Sequence, residues 1–371
     1  MNNALDYIHW RSDLTFEASP INEVDIFLMS QFATPDFKGI ISGNVFEISF
    51  EEACAKYFST HTTDKKNIGV LQSGRLLISL KEASVSPRYK DLRLCGYIDR
   101  VQEKSAEQFS AVTIRVSKQF IVVAFMGTDD TLTGWKEDFN IAVQGDVPSQ
   151  QDAKEYLEWA AATYPEARIG VCGHSKGGNL SLFSASSVPE KLQERIDFVY
   201  NLDGPGLSDA MRKTEGFLRI KDKVRTLVSK HTTIGTLMNL SEPVSVVETD
   251  ATGMRAHDAF KWDVMQNHFV RAEKVSESSI IFGYTIKNTI EKLTPEEKID
   301  FVEAFFKAVT STGARTITDI VNTDIAGIFK ALSKMGRDKR IARIAEVLRK
   351  EAESAIIKAR KGELQSWESM D

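Results

Sequence analysis

One short segment constrains this chain more than any other: Arg168-Ile169-Gly170-Val171-Cys172-Gly173-His174-Ser175-Lys176-Gly177-Gly178. An apolar run ends at Gly173, and a helix-compatible stretch from Asn179 to Ala185 follows. Between them, Gly173-His174-Ser175-Lys176-Gly177 reads G-x-S-x-G, a serine lifted on a sharp strand-to-helix turn. Such a turn is strained and crowded. Side chains two residues either side of the serine would collide with the flanking strand and helix, which accounts for Gly173 and Gly177. Gly178 adds clearance for a substrate or a neighbouring strand. A phosphate-binding loop is the other glycine-rich reading, but it needs lysine directly before Ser or Thr. Here Lys176 follows the serine, and that reading fails.

The strand before this turn has company. Residues 120–125 form an unbroken apolar run, as expected of a strand buried on both faces. Residues 95–101, 109–117 and 119–126 predict an antiparallel set, and residues 198–202, 224–228 and 244–247 predict further strands. Helical patterns fall between strands, one of them over residues 149–164 with Ala153, Tyr156, Leu157 and Ala160 on its apolar stripe. Alternation of this kind predicts an α/β protein with a largely parallel sheet and helices on both faces. Residues 1–90 read as a helical or irregular cover, with a helix starting near Asn22 and running to Phe32.

The strand signal ends near Asn267, so we divide the chain into a sheet-bearing domain, residues 1–266, and an all-helical extension, residues 267–371. Thr294-Pro295-Glu296-Glu297 opens one helix there with a capping threonine, a proline at the first helical position and a capping-box glutamate. Ile299, Val302, Phe305, Phe306 and Val309 supply its buried face. The last helix sets Ile341, Ile344, Leu348, Ala352, Ala355 and Ala359 against Arg and Lys. That basic amphipathic face suits peripheral membrane or partner contact, or ordinary docking on the core, and the glutamates offsetting its charge favour docking.

Composition narrows the partners. A net charge of only −5 gives no electrostatic case for nucleic acid. Cys54, Cys95 and Cys172 are too few and too scattered for a disulfide framework or a metal cage. The N-terminus carries Asp6, Arg11 and Asp13 and lacks an apolar core, so no signal peptide is expected and the cytoplasm is the expected compartment. Nothing in the sequence sets an oligomeric state.

A serine is a weak nucleophile without a base, an acid to orient that base, and donors for the oxyanion. The serine-first chain order that accompanies G-x-S-x-G puts the acid and then the histidine downstream. Among His231, His257 and His268, we expect His257 as base, since it follows the last predicted strand and a Thr252-Gly253 turn. His231 comes too early, and His268 reads as the start of the helical tail. Asp203, at the end of the first strand after the serine, is the preferred acid. Asp250 and Glu248 lie closer to His257 in sequence, and Asp203 also suits a turn-capping role. The oxyanion donors expected are the Lys176 N–H and the loop after the apolar strand, where Thr128 offers an N–H and a hydroxyl.

These residues carry a resemblance. Phe125-Met126-Gly127-Thr128, Gly134-Trp135-Lys136-Glu137-Asp138 and Gly173-His174-Ser175-Lys176-Gly177-Gly178 resemble the class 3 triacylglycerol lipases of the α/β-hydrolase superfamily. A bacterial branch, the Mbeg-like hydrolases, is more similar still. It shares Trp10-Arg11-Ser12-Asp13-Leu14, Asn22-Glu23-Val24-Asp25, Gly127-Thr128-Asp129-Asp130, Asp203-Gly204-Pro205-Gly206 and His257-Asp258. The resemblance covers about residues 5–265. It implies an α/β-hydrolase (lipase-like) fold, with Ser175 as nucleophile, His257 as base, Thr128 at the oxyanion and a lid beginning near Trp135. It implies a small-molecule ester or lipid substrate and no cofactor or metal. Two departures stand out. Met126 replaces an arginine usual in lipases, and no carboxylate occurs near Thr232-Thr233, where lipases take their acid. Asp203 substituting from the neighbouring strand, a Ser–His dyad, and a degenerate site all remain open. Lys176 beside the serine either stabilises negative charge or pairs with Asp129 or Asp130.

Overall fold

The computed structural model describes residues 2–61, 74–102, 107–128, 136–137, 140–141, 147–238, 244–311 and 339–364. Eight strands form one sheet in chain order, β1 (Ile48–Ser49), β2 (Arg93–Gln102), β3 (Glu107–Ser117), β4 (Phe120–Phe125), β5 (Arg168–His174), β6 (Ile196–Leu202), β7 (Val224–Ser229) and β8 (Val244–Val247). β1 to β4 pair antiparallel, and β4 to β8 pair parallel. The antiparallel set and the alternating parallel half are both as the sequence predicts, and the protein is an α/β protein with one sheet flanked by helices.

β4 shows why its residues are apolar throughout. Ile121, Val123 and Phe125 point to one face, against Ala153, Leu157 and Ala160 of helix Pro148–Thr163 and Leu180 of helix Lys176–Ser187. Val122 and Ala124 point to the other, where the N-terminal helices Ala4–Arg11 and Glu23–Gln31 lie. Alternate side chains of one strand thus fill two cores.

The N-terminal cover is fastened by a buried charge cluster. Asn22 caps its helix by accepting from the Val24 and Asp25 N–H groups. Asp25 in turn accepts from Arg88 Nε (2.8 Å) and Nη2 (2.6 Å), and from the Tyr7 and Tyr89 hydroxyls. Both charged side chains are fully buried. Burial and the adjacent Asp25 carboxylate push the Tyr7 and Tyr89 hydroxyl pKa values up, so both phenols stay protonated donors.

Strand structure continues past Asn267, contrary to expectation. Val264–Met265 (β9) pairs antiparallel with His268–Phe269 (β10), and an isolated bridge joins Val247 to Arg271. His268 therefore sits on a strand and does not open the helical tail. Phe269 drives this, buried edge-on to Trp262 at 5.3 Å between ring centres. Beyond β10, the described elements are helices Glu277–Lys292, Pro295–Ser311 and Lys339–Arg360. Val228 of β7 packs with Val275, Ile280, Ala355 and Leu364. Thr294 and Glu297 form the expected capping box. Val302 and Phe306 are buried, but Ile299 is exposed, because the first turns meet the last helix through the Glu297–Arg343 ion pair. The side chains of Phe305 and Val309 lie outside the described residues. Among the described residues, no helix is long and apolar enough to cross a membrane.

Candidate active site

β5 ends at His174, and the chain turns at Ser175 with φ 58° and ψ −129° before entering helix Lys176–Ser187. A non-glycine residue held there is strained, at a cost of order 1–3 kcal/mol. The surroundings enforce it. A Cβ on Gly173 would lie 2.1 Å from the Gly177 carbonyl carbon, and one on Gly177 would lie 2.2 Å from the Phe125 oxygen. Glycine at both positions is therefore a packing requirement, as the sequence suggests. The clearance at Gly178 serves the neighbouring strand, through Asn201 of β6.

Parallel pairing brings the other residues to the same edge. β5 and β6 align His174 with Leu202, and the Ser175 N–H donates to the Leu202 carbonyl at 2.9 Å. Asp203 follows directly, with a positive φ of 52°. Its Oδ2 lies 2.8 Å from His257 Nδ1, and its Oδ1 accepts from the Ser229 N–H at 3.3 Å. Both partners of the Asp203–His257 pair are about as buried as core residues. The alternatives lie elsewhere: Glu248 is held by Lys230 at 3.1 Å, and Asp250 is exposed. His257 Nε2 is buried and has no hydrogen-bond partner, so the Ser175 hydroxyl is not bonded to it in this state.

His174 supports His257 from below. The rings are 4.6 Å apart and tilted by 30°, and His174 Nε2 reaches the His257 carbonyl at 2.8 Å. A carbonyl only accepts, so His174 carries its proton on Nε2. Burial, together with the neighbouring His257, pulls His174 down to about 3, which keeps this ring neutral. Phe27 of the N-terminal cover lies edge-on to His174 at 6.5 Å and to Phe260 at 4.9 Å. Arg75 Nη1 donates to the Phe260 carbonyl, and the Val264 N–H to the Asn2 carbonyl. The sequence gives no sign of these props, since each joins segments far apart in the chain.

The loop after β4 runs against the serine turn. A Cβ on Gly127 would lie 2.7 Å from the His174 oxygen and 3.2 Å from Ser175 Cβ, and Thr128 is buried next in line. Lys176, first residue of its helix, has no carbonyl four residues back within that helix to take its N–H. Its side chain has a partner that the sequence reading does not single out. Nζ pairs with Glu137 Oε2 at 2.9 Å, fully buried, and also donates to the Gln108 carbonyl at 2.6 Å. A buried ammonium needs a carboxylate equally withdrawn from water, and Glu137 supplies it. Asp129 and Asp130 lie outside the described residues, as does Trp135, the expected start of a lid.

The Mbeg1-like sequence family matches residues 83–307, more than half of the chain. The chain belongs to the Mbeg1-like family. No curated protein matches the sequence. Among solved structures, this Mbeg1-like chain is similar to a lipase from Rhizopus microsporus var. chinensis, at 15% identity and a TM-score of 0.32, over 46% of this chain and 66% of that one. The Lip2 lipase from Yarrowia lipolytica matches at 12% identity and 0.30, over 43% and 66%. A Rhizomucor miehei lipase–propeptide complex matches at 13% and 0.37, over 64% and 74%. The Mbeg1-like chain thus spans just under two thirds of the first two lipases. Likenesses this distant concern the fold alone, and the chemistry has to be argued from the residues above.

Proposed function

We propose that the protein is a serine hydrolase that cleaves carboxylic esters, of the acyl or lipid type, through an acyl-enzyme. One observation carries the reading: the buried His257 imidazole is bound through Nδ1 to Asp203, Nε2 is left without a partner, and the ring lies 4.6 Å from that of His174, the residue before Ser175. An imidazole held this way accepts a proton at Nε2 and nowhere else.

In this mechanism Ser175 Oγ swings onto Nε2, loses its proton to His257 and attacks the ester carbonyl carbon. Hydrogen bonds of ligand-free sites are often loose and tighten with substrate. Asp203 stabilises the imidazolium that forms. The oxyanion takes the N–H groups of Lys176 and Thr128. The carbonyl then re-forms, the alkoxide leaves with the His257 proton, and water repeats the sequence on the acyl-enzyme. Asp203 takes the role that lipases give to a carboxylate near Thr232, one strand further along.

The test is labelling with a fluorophosphonate probe. Wild type should be labelled and Ser175→Ala should not. A folded wild type that stays unlabelled sinks the proposal. The unmade Ser175–His257 hydrogen bond supports a second reading, a lipase-like protein that binds an acyl or lipid ligand without turning it over. That reading predicts ligand binding that survives Ser175→Ala, with no ester hydrolysed by wild type.

A further inference from the structure

The Lys176–Glu137 pair has no part in the proton transfers just described, yet it is buried one residue from the nucleophile. Its contacts span three elements. Lys176 opens the helix after the serine, Glu137 lies in the segment beyond the β4 loop, and Gln108 stands near the start of β3. Lys176 Nζ reaches Glu137 Oε2 (2.9 Å), the Gln108 carbonyl (2.6 Å) and Gln108 Oε1 (3.3 Å), and the Gln108 N–H donates to the same Glu137 oxygen at 2.9 Å.

The register of β3 against β4 shows what this grips. Ala111 faces Phe125, and the Met126 N–H still donates to the Ser110 carbonyl. Ser110 is two residues from Gln108, and Met126 is two residues before Thr128. The cluster therefore ties the first residue of the serine helix to β3, the strand that holds the start of the Thr128 loop at Met126. Lys176 and Thr128 are the residues assigned the oxyanion donors.

Stability alone is a poor reason for the pair. Two buried charges lose more hydration than they regain unless every remaining polar atom is satisfied. Glu137 Oε1 is buried without a partner, so this cluster is not fully satisfied. An apolar pair of similar volume would hold the core at least as well, but would not fix direction and length as hydrogen bonds do.

We propose that the Lys176 side chain, with Glu137, is a positioning device that sets the spacing between the Lys176 and Thr128 backbone donors. This inference rests on the serine-hydrolase reading and adds a residue to it. Its action is indirect: the ammonium never meets the substrate, and the backbone N–H of the same residue does.

The experiment compares wild type, Lys176→Met, Glu137→Gln and the double variant Lys176→Met/Glu137→Leu. Each is assayed on a p-nitrophenyl ester and for inhibition by a trifluoromethyl ketone, whose hemiketal oxygen occupies the oxyanion position. Lys176→Met leaves Glu137 buried and unpaired and is expected to fold poorly. The double variant removes both charges and keeps the volume, so thermal melting of that protein decides the matter. The expected result is a double variant that melts near wild type with kcat down roughly 100-fold, KM little changed, and ketone affinity down in parallel. Glu137→Gln, which keeps the shape and one hydrogen bond, should fall between. A folded double variant with kcat and ketone affinity within about threefold of wild type overturns the positioning role while leaving the hydrolase reading intact. A wild type that neither turns over ester nor takes the fluorophosphonate overturns both.

Discussion

Asp203→Asn is the substitution that separates the proposed triad most cleanly from its alternatives. Asp203 is completely buried, with Oδ2 2.8 Å from His257 Nδ1 and Oδ1 accepting from the Ser229 N–H. Asparagine has the same shape, and its amide oxygen can take the Ser229 N–H. Its amide nitrogen then faces His257 and donates, which forces Nδ1 to accept and moves the imidazole proton to Nε2. A protonated Nε2 cannot receive the serine proton. The packing loss is negligible, but the base is in the wrong tautomer, an effect worth about 10⁴-fold in kcat in serine hydrolases built on this plan. That factor corresponds to about 5.5 kcal/mol of barrier. Steady-state hydrolysis of a p-nitrophenyl ester measures it, with urea unfolding to show that the fold is retained. Asp250→Asn and Glu248→Gln, read the same way, should stay within about threefold of wild type. A folded Asp203→Asn protein with more than roughly a tenth of wild-type kcat would refute the assignment of the acid.

Three other outcomes follow from the packing and charge. Gly173→Ala should cost about 3 kcal/mol or more in urea unfolding, because its methyl has only the Gly177 backbone to occupy; an unchanged midpoint would contradict the described turn. His174, held at about 3 when folded and at about 6.5 in the unfolded chain, loses stability as pH falls between those values, because only the unfolded state takes the proton. Wild type should lose up to about 1.4 kcal/mol per pH unit more than His174→Gln between pH 6 and 4, and equal slopes in the two proteins would count against this. Asp25→Ala strands the buried Arg88 guanidinium and should destabilise the protein by about 3–5 kcal/mol, while Asp25→Asn should cost less. Chemical unfolding of the pair checks the order.

The serine turn is legible in the sequence because its constraints are local: an apolar strand, two glycines at fixed offsets and a helix all fall within residues 168–187. The β4 run and the caps at Asn22 and Thr294 are legible for the same reason. Asp203 and His257 can be singled out by chain order and by their places after strands, yet only the β5–β6 register and the Asp203–His257 contact bring them to one edge with Ser175. The Glu137 contact of Lys176 is not legible, because it depends on burial: a carboxylate must leave water with the ammonium, and Glu137 meets that condition through β3. His268 is a second such case. Its polar neighbours hide a two-residue strand that exists only because Phe269 has Trp262 to pack against.

The props beneath His257 have a practical consequence. The family match begins at residue 83, so a fragment trimmed to that border would keep Ser175, Asp203 and His257. It would discard Phe27, Arg75 and Asn2, which brace the histidine's loop from the opposite end of the chain. Shared ancestry and mechanical support draw different frontiers through this molecule. The smallest piece able to keep its imidazole aimed is set by the bracing, and it begins near the first helix.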